Sequence, residues 1–349
     1  MTARIEMQDT VRVIQYGVGV IGSSVIQLLS EKPWVKIVGA IDIDPVKIGR
    51  DVAVVAGLEN EIGVKVVFPP EEVIGKVAAD VVLHATTAFM DEAYGQILRA
   101  VTHRMNVITL AQELFYPIGS NAKRADRLGE QAKARGVSVL ATGVNGGFVT
   151  DMLPVFMSGV CWEIDRVRVR RVIDFSHYGP TTMREIGAGL PRGEVERGMR
   201  QGGMGQVGLC ESVAMIAACL GWELDEIEQT KEPIVSHSQR EAPFVTIRPG
   251  TVCGFRQRVC GKKAGAALIV LDMIGVIESR PHEDDVDMGD YIMIEGKPNI
   301  EIMIPGQIAQ RGALAAAASL VNLIPKVLIA PSGFLTMKDL TMPSLWSGT

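Results

Sequence analysis

The sequence is poor in the residues that metal, nucleic-acid and disulfide chemistry require. Its five cysteines, at 161, 210, 219, 253 and 260, form no close pair, and its five histidines give no HxxxH or HExxH spacing. That argues against a metal site and for reduced thiols in a cytoplasmic protein. Net charge is -5 and no block of Lys or Arg stands out, which leaves nucleic-acid binding unsupported. Neither a G-x-S-x-G elbow nor a Walker A motif occurs. The N-terminal MTARIEMQDT lacks the apolar core of a signal segment. The most membrane-like run, Gly312 to Ala330, is interrupted by Asn322, Pro325 and Lys326, which predicts a buried helix followed by strand or loop.

What the chain does have is 349 residues, 47% of them hydrophobic, enough for two domains. Near its start, the apolar run VRVIQY (11–16) passes directly into Gly17-Val-Gly19-Val20-Ile21-Gly22. A strand running into G-x-G-x-x-G is the dinucleotide-binding fingerprint. The first glycine permits the turn, the second lets a pyrophosphate approach the backbone, and the third lets helix and strand pack closely. A helix over 21–31 then aims its N-terminal N–H groups, near Val20 and Ile21, at the phosphates. The next strand pattern, 35–41, runs into Asp42, placed to hold ribose hydroxyls or simply to cap the IDIDP turn. An acid there favours NAD over NADP, while nearby Lys47 and Arg50 can offset it, so both cofactors stay open.

Strand and helix patterns alternate through residue 110, as a parallel sheet requires. KVVF (65–68) reads as a strand, EEVIGKV (71–77) as helical, ADVVLHAT (79–86) as a buried strand, 90–103 as a helix and NVITL (106–110) as a strand. Residues 120–135 read as a helix capped by Gly136, and VSVLATG as a closing strand. The α/β part is thus assigned to residues 1–150, an α+β part to 151–304, and a returning C-terminal segment to 305–349. In the second part, 165–175 alternates apolar with basic residues, as an antiparallel half-exposed strand does. Residues 176–209 read as loops and short helices, 211–220 as a helix, and PFVTIRPGTVCGFRQRVCG, ALIVLDMIGVIE and DYIMIEG as strands of one open sheet fit to floor a dimer. A long apolar helix is predicted over 308–323. The default active site is the cleft between domains.

Several residues can carry chemistry. Thr86 and Thr87 end a strand where a doubly wound sheet faces its cofactor, or they cap that strand; His84 reads as structural. Glu113 follows NVITL inside AQELFYP, where Leu114, Phe115, Tyr116 and Pro117 can desolvate it for acid–base work; the alternative is an acid at a helix start. His177 and Tyr178, before a Gly-Pro turn, fit a substrate-cleft wall. Arg184 can bind a charged substrate or cap a helix, and Asn145 can shape the cleft or adopt a left-handed turn.

In combination, VIQYGVGVIG, GAIDIDPVKIGRD, QELFYP, GVNGGFVTD and NLIPKVLIAPSGFLTMKDL resemble the 2,4-diaminopentanoate dehydrogenases and the related native amine dehydrogenases, distant relatives of dihydrodipicolinate reductase. The resemblance covers most of the chain. It implies a Rossmann domain plus an α+β substrate and dimerisation domain, a homodimer, and NAD or NADP as cofactor. It places the catalytic glutamate on Glu113 and puts His177 and Tyr178 near the substrate pocket. The implied reaction is oxidative deamination of an amine to a ketone and ammonia, reversible as reductive amination. The adjacent histidines and nearby lysine of dihydrodipicolinate reductase are absent, which weighs against that activity. The alternatives are an imine reductase on the same scaffold and a non-catalytic NAD(P) sensor.

Overall fold

The computed structural model describes residues 10–284, 286–306, 308, 311–341 and 343–345. Residues 1–9 of the N-terminal segment read for a signal therefore lie outside the described residues, as do parts of the first turn expected for the C-terminal helix. The chain divides into two compact units, Met1–Gly147 with Ala313–Thr349, and Phe148–Gly312.

The first unit is built on β1 (Val11–Tyr16), β2 (Val35–Ile41), β3 (Val66–Val67), β4 (Val81–His84), β5 (Asn106–Thr109) and β6 (Ser138–Ala141). With the C-terminal strand Gly333–Leu335 they form a seven-stranded sheet, whose order from β3 is β3-β2-β1-β4-β5-β6 and then that strand. Every pairing is parallel. Strands covered on both faces need continuous apolar runs, and all four residues of β4 are buried. Chain order reverses at β1, which lies between β2 and β4, so the carboxyl ends of these strands frame a switch point where ligands bind in such sheets. Helices Val20–Ser30, Met90–Thr102 and Ser120–Arg135 connect the strands, the last closed by Gly136 at φ +70°.

The helix expected over EEVIGKV is replaced by a 3-10 turn at Pro70–Glu72. Gly75 takes φ +90° three residues on, so the next turn, closed by the Lys76 and Val77 N–H groups on the Val73 carbonyl, does not continue as a helix. The C-terminal helix runs Gly312–Leu328 and carries through Pro325. Pro325 sits in the last turn, where the missing N–H costs one intrahelical bond and leaves the rest of the helix intact.

The second unit holds a six-stranded sheet and a two-stranded ladder. Its strands are β7 (Glu163–Asp174), β8 (Glu226–Val235), β9 (Arg240–Ala242), β10 (Val245–Ile247), β11 (Val252–Lys263), β12 (Ala266–Val276), β13 (Gly289–Lys297) and β14 (Ile300–Pro305). The large sheet has the order β14-β13-β7-β12-β11-β8. Three sequence expectations change here. β7 is antiparallel to β13 but parallel to β12. PFVTIRPGTVCGFRQRVCG splits at Pro249-Gly250, so β10 pairs with β9 outside the large sheet. The edge strands β8 and β14, which the sequence reading did not mark, complete the sheet; β8 (EIEQTKEPIV) is charged, while β14 (IEIMIP) alternates in burial with a single charged residue. One face buries Val167, Val169, Leu271, Ile292 and Ile294 in a core shared with helix Leu209–Leu220. Residues 176–209 supply helices Pro180–Ile186 and Arg192–Arg200.

Candidate active site

In the first unit the glycine turn has the shape a pyrophosphate needs. Gly17 is at φ +89°, and a Cβ there would stand 2.5 Å from the Ala85 carbonyl oxygen. A Cβ on Gly22 would overlap the Gly17 carbonyl, so the third glycine is the close approach of helix to turn. At Gly19, by contrast, nothing lies within 4 Å of where a Cβ would be. That open volume adjoins the start of the helix at Val20, whose N-cap Gly19 offers no side-chain acceptor. The helix start at Val20 and Ile21 thus meets an uncrowded surface, as an anion site requires. Buried Gln15 steadies the turn by donating from Nε2 to the Gly17 carbonyl at 2.8 Å. These residues fit a dinucleotide.

Asp42, at the end of β2, accepts the Val18 N–H at 2.7 Å and the Asp44 N–H at 2.9 Å. The Lys47 ammonium lies 3.3 Å from the same carboxylate. Asp42 therefore caps its own turn, and the same bonds aim it at the glycine loop.

At the end of β4, His84 is fully buried in a polar network. Its Nδ1 lies 2.8 Å from Thr109 Oγ1 and its Nε2 2.8 Å from Gln96 Oε1. Facing an amide oxygen, Nε2 carries the ring proton, and Nδ1 accepts from Thr109. Burial drives the imidazole down to about 4, so the ring is neutral near pH 7. Thr86 donates to Gln96 Oε1 at 2.7 Å, and Thr87 Oγ1 accepts from the Phe89 N–H at 3.3 Å. Both threonines stand at the carboxyl edge of the sheet, and both hold local structure there. Gln96, a network member without a sequence motif to mark it, lies on helix Met90–Thr102.

Glu113 occupies the 3-10 turn Gln112–Leu114 after β5. Its Oε2 accepts the Met90 N–H at 2.6 Å, while its own N–H donates to the Ala88 carbonyl at 3.1 Å. The acid thus seats at the N-terminus of helix Met90–Thr102, half-buried, and is held against the β4 end of the sheet. Its expected apolar surround is only partial, because Leu114 and Phe115 turn into the core. Phe115 instead locks the Asn145 turn: a Cβ on Gly146 would overlap its ring, and one on Gly143 would stand 3.0 Å from Cζ. The segments QELFYP and GVNGG are therefore one packed feature, with Asn145 half-buried beside it.

The remaining predicted residues belong to the second unit. Tyr178 packs edge-on against Phe175 at 4.8 Å between ring centres. Its hydroxyl occupies the space a Cβ on Gly312 would need. Burial raises the phenol, and the Arg171 charge pulls it back. His177 is exposed, and Arg184 is exposed on helix Pro180–Ile186, with its guanidinium 3.3 Å from Thr181 Oγ1. Tyr178 adjoins the chemical focus of this unit. That focus is Arg171 with Asp290, which are 2% and 1% exposed. Arg171 Nε lies 2.8 Å from Asp290 Oδ1, but the N–H is not aligned for a hydrogen bond, so the contact is ionic. Burial raises the Asp290 carboxyl while Arg171 lowers it. Asp290 was not singled out in the sequence, although alternation places it on the face of Ile292 and Ile294.

Comparison with known proteins agrees with this architecture. A family model described as the 2,4-diaminopentanoate dehydrogenase C-terminal domain matches residues 148–349. The chain is 35% identical over 344 residues to a 2,4-diaminopentanoate dehydrogenase of Acetoanaerobium sticklandii, covering 96% of this chain and 94% of that one. It is 28% identical to an amine dehydrogenase of Streptomyces virginiae, covering 94% and 96%. Its fold matches the amine dehydrogenase structure from Mycobacterium smegmatis with a TM-score of 0.88 at 24% identity, over 97% and 98% of the two chains. The chain belongs to the 2,4-diaminopentanoate dehydrogenase family and is an oxidoreductase of the amine dehydrogenase kind.

Proposed function

We propose that the chain catalyses NAD(P)-dependent oxidative deamination of 2,4-diaminopentanoate or a related amine, reversible as reductive amination of the ketone by ammonia. The observation that carries this reading is the Glu113 carboxylate, fixed by the Met90 N–H at the carboxyl edge of the sheet that bears the glycine turn. One carboxylate oxygen is spent on positioning, which leaves the other to handle protons. A bound nicotinamide supplies hydride acceptance from the amine-bearing carbon. Glu113 takes a proton from the substrate's ammonium group or from the water that attacks the iminium carbon, and returns one to the departing ammonia, the positioned acid–base role worth about 10²–10⁴ in rate.

A diamino acid presents a carboxylate and a second amino group. On β7 Arg168 pairs with Glu295, whereas Arg184 is exposed on helix Pro180–Ile186. Arg171 and Asp290, beside Tyr178, are buried and closed on one another, so the exposed Arg184 is the arginine we assign to a substrate carboxylate. Asn145, His177 and Arg184 are assigned supporting places around the substrate.

The same reading includes a homodimer in the cytoplasm. The sheet face away from the core carries half-exposed apolar side chains, with Met293 38% and Met303 57% exposed, and all five cysteines are free thiols. The test of function is oxidation of NADH and NADPH with 2-amino-4-oxopentanoate, with and without ammonium. Ammonium-dependent oxidation is expected. Turnover only on simple ketones would move the assignment to a general amine dehydrogenase. Turnover independent of ammonium would replace it with an imine reductase.

A further inference from the structure

We propose that the outer face of the six-stranded sheet carries a binding site for a small oxyanion, a carboxylate or a phosphate, held between Arg170 and Arg256. The proposal goes beyond the amine reaction and does not rest on it.

A cavity of about 400 Å³ opens on this face, where β7, β12, β11 and β8 run side by side. The guanidinium groups of Arg170, Arg256 and Arg258 line it, with the carboxylates of Asp272 and Glu232. The register explains the cluster, because residues two apart in a strand share a face. Arg170 stands beside Asp272, which stands beside Arg258. Arg256 lies two residues away on β11, between Ile274 and Glu232.

The acids do not neutralise these cations evenly. Asp272 spends both oxygens on Arg258, at 2.5 and 3.1 Å. Further along β7, Arg166 and Arg168 share Glu295. Among the described residues, neither Arg170 nor Arg256 forms an ion pair. Arg170 is exposed. Arg256 donates from Nη2 to the backbone carbonyl of Asp284 at 2.8 Å. That bond fixes it, because Asp284 belongs to helix Pro281–Asp284 and is anchored by buried Arg240 at 2.6 and 2.9 Å. Val286 packs in one cluster with Val172 and Ile274, and Ile274 lines the cavity, so one wall is apolar and fixed.

Two guanidinium groups without a carboxylate thus face one cavity. Each presents a rigid fork of donors that matches the oxygens of a carboxylate or phosphate. Their strands are two apart, roughly 10 Å, so the anion lies over β12 between them. Thr230 adds a hydroxyl donor to the lining. Glu232 tempers the charge but leaves the cations in excess. The methionines assigned to self-association lie on β13 and β14, on the other side of β7.

The experiment is calorimetric titration with sodium phosphate and with sodium citrate, at an ionic strength held constant with sodium chloride. It compares wild type with Arg170→Gln, Arg256→Gln and, as the control for general surface charge, Arg168→Gln. Saturable binding of at least one anion is expected, weakened about 10-fold or more by Arg170→Gln and by Arg256→Gln and within about twofold in Arg168→Gln. Saturation by phosphate alone assigns a phosphoryl ligand, and by citrate alone a carboxylate. Thermal midpoints matching wild type confirm folding, and Arg170→Gln carries the test if Arg256→Gln unfolds. No saturable binding, binding indifferent to Arg170, or equal losses in Arg168→Gln and Arg170→Gln overturns the site.

Discussion

At the scale of single residues, Glu113 combines a structural bond with the proposed chemical one, and the two can be separated. Glu113→Gln keeps a carbonyl oxygen for the Met90 N–H, so the cap at the head of helix Met90–Thr102 survives. The stability cost is then below the roughly 1 kcal/mol of a lost cap. Proton transfer is lost, and kcat is expected to fall by about 10²-fold or more with nucleotide affinity retained. Steady-state kinetics beside nucleotide titration provide the check, and near-normal turnover in a folded variant removes Glu113 from the mechanism. The surrounding glycines are equally specific. Gly146 has no room for a Cβ because Phe115 fills it, whereas Gly19 has room and no filler.

At the scale of elements, two buried polar groups tie neighbours together. His84 joins β4 to β5 and to the Gln96 helix as a neutral ring. Its folded value, about 4, lies below the unfolded value near 6.5, so the unfolded chain binds the extra proton between those pH values. Stability contributed by the neutral ring is complete above pH 6.5 and is lost as pH falls toward 4, by on the order of 3 kcal/mol. Thermal melts of wild type are expected to drop over this window, and those of His84→Gln to drop less between pH 6.5 and 5. Parallel curves would remove the histidine as the cause. The Arg171–Asp290 pair bridges β7 and β13. Arg171→Met strands a buried carboxylate and is expected to cost about 3–5 kcal/mol, while the double variant with Asp290→Leu recovers most of that. Chemical denaturation measures both, and a double variant no better than the single one would show that packing, rather than charge, is lost.

At the scale of the whole molecule, the outer face of the six-stranded sheet sets the expectation for assembly. β13 and β14 place Met293 and Met303 on it, among charged pairs such as Arg168 with Glu295. A face of mixed apolar and paired charged side chains suits a self-complementary two-fold contact. Sedimentation equilibrium is expected to give a dimer, and Met293→Glu with Met303→Glu to give a folded monomer. A wild-type monomer at micromolar concentration would reject the homodimer.

The sequence by itself determined the parallel sheet and its glycine turn, because these depend on local facts: continuous apolar runs, a positive φ at Gly17, a strand ending on Asp42. It located Glu113 and grouped His84 with the strand interior for the same reason. The tertiary structure decided what lies far apart in sequence. Only folding seats Glu113 on the Met90 N–H, 23 residues away, and stacks Phe115 on Gly143 and Gly146. Only the β7–β13 register sets Arg171 against Asp290. The parallel partner of β7 and the edge strands β8 and β14 were illegible for a related reason. Strand direction and pairing are set by long-range hydrogen bonds, and the charges of β8 dilute its apolar signal. Periodicity records which face of a segment is buried, and contact between segments is what adds the chemistry.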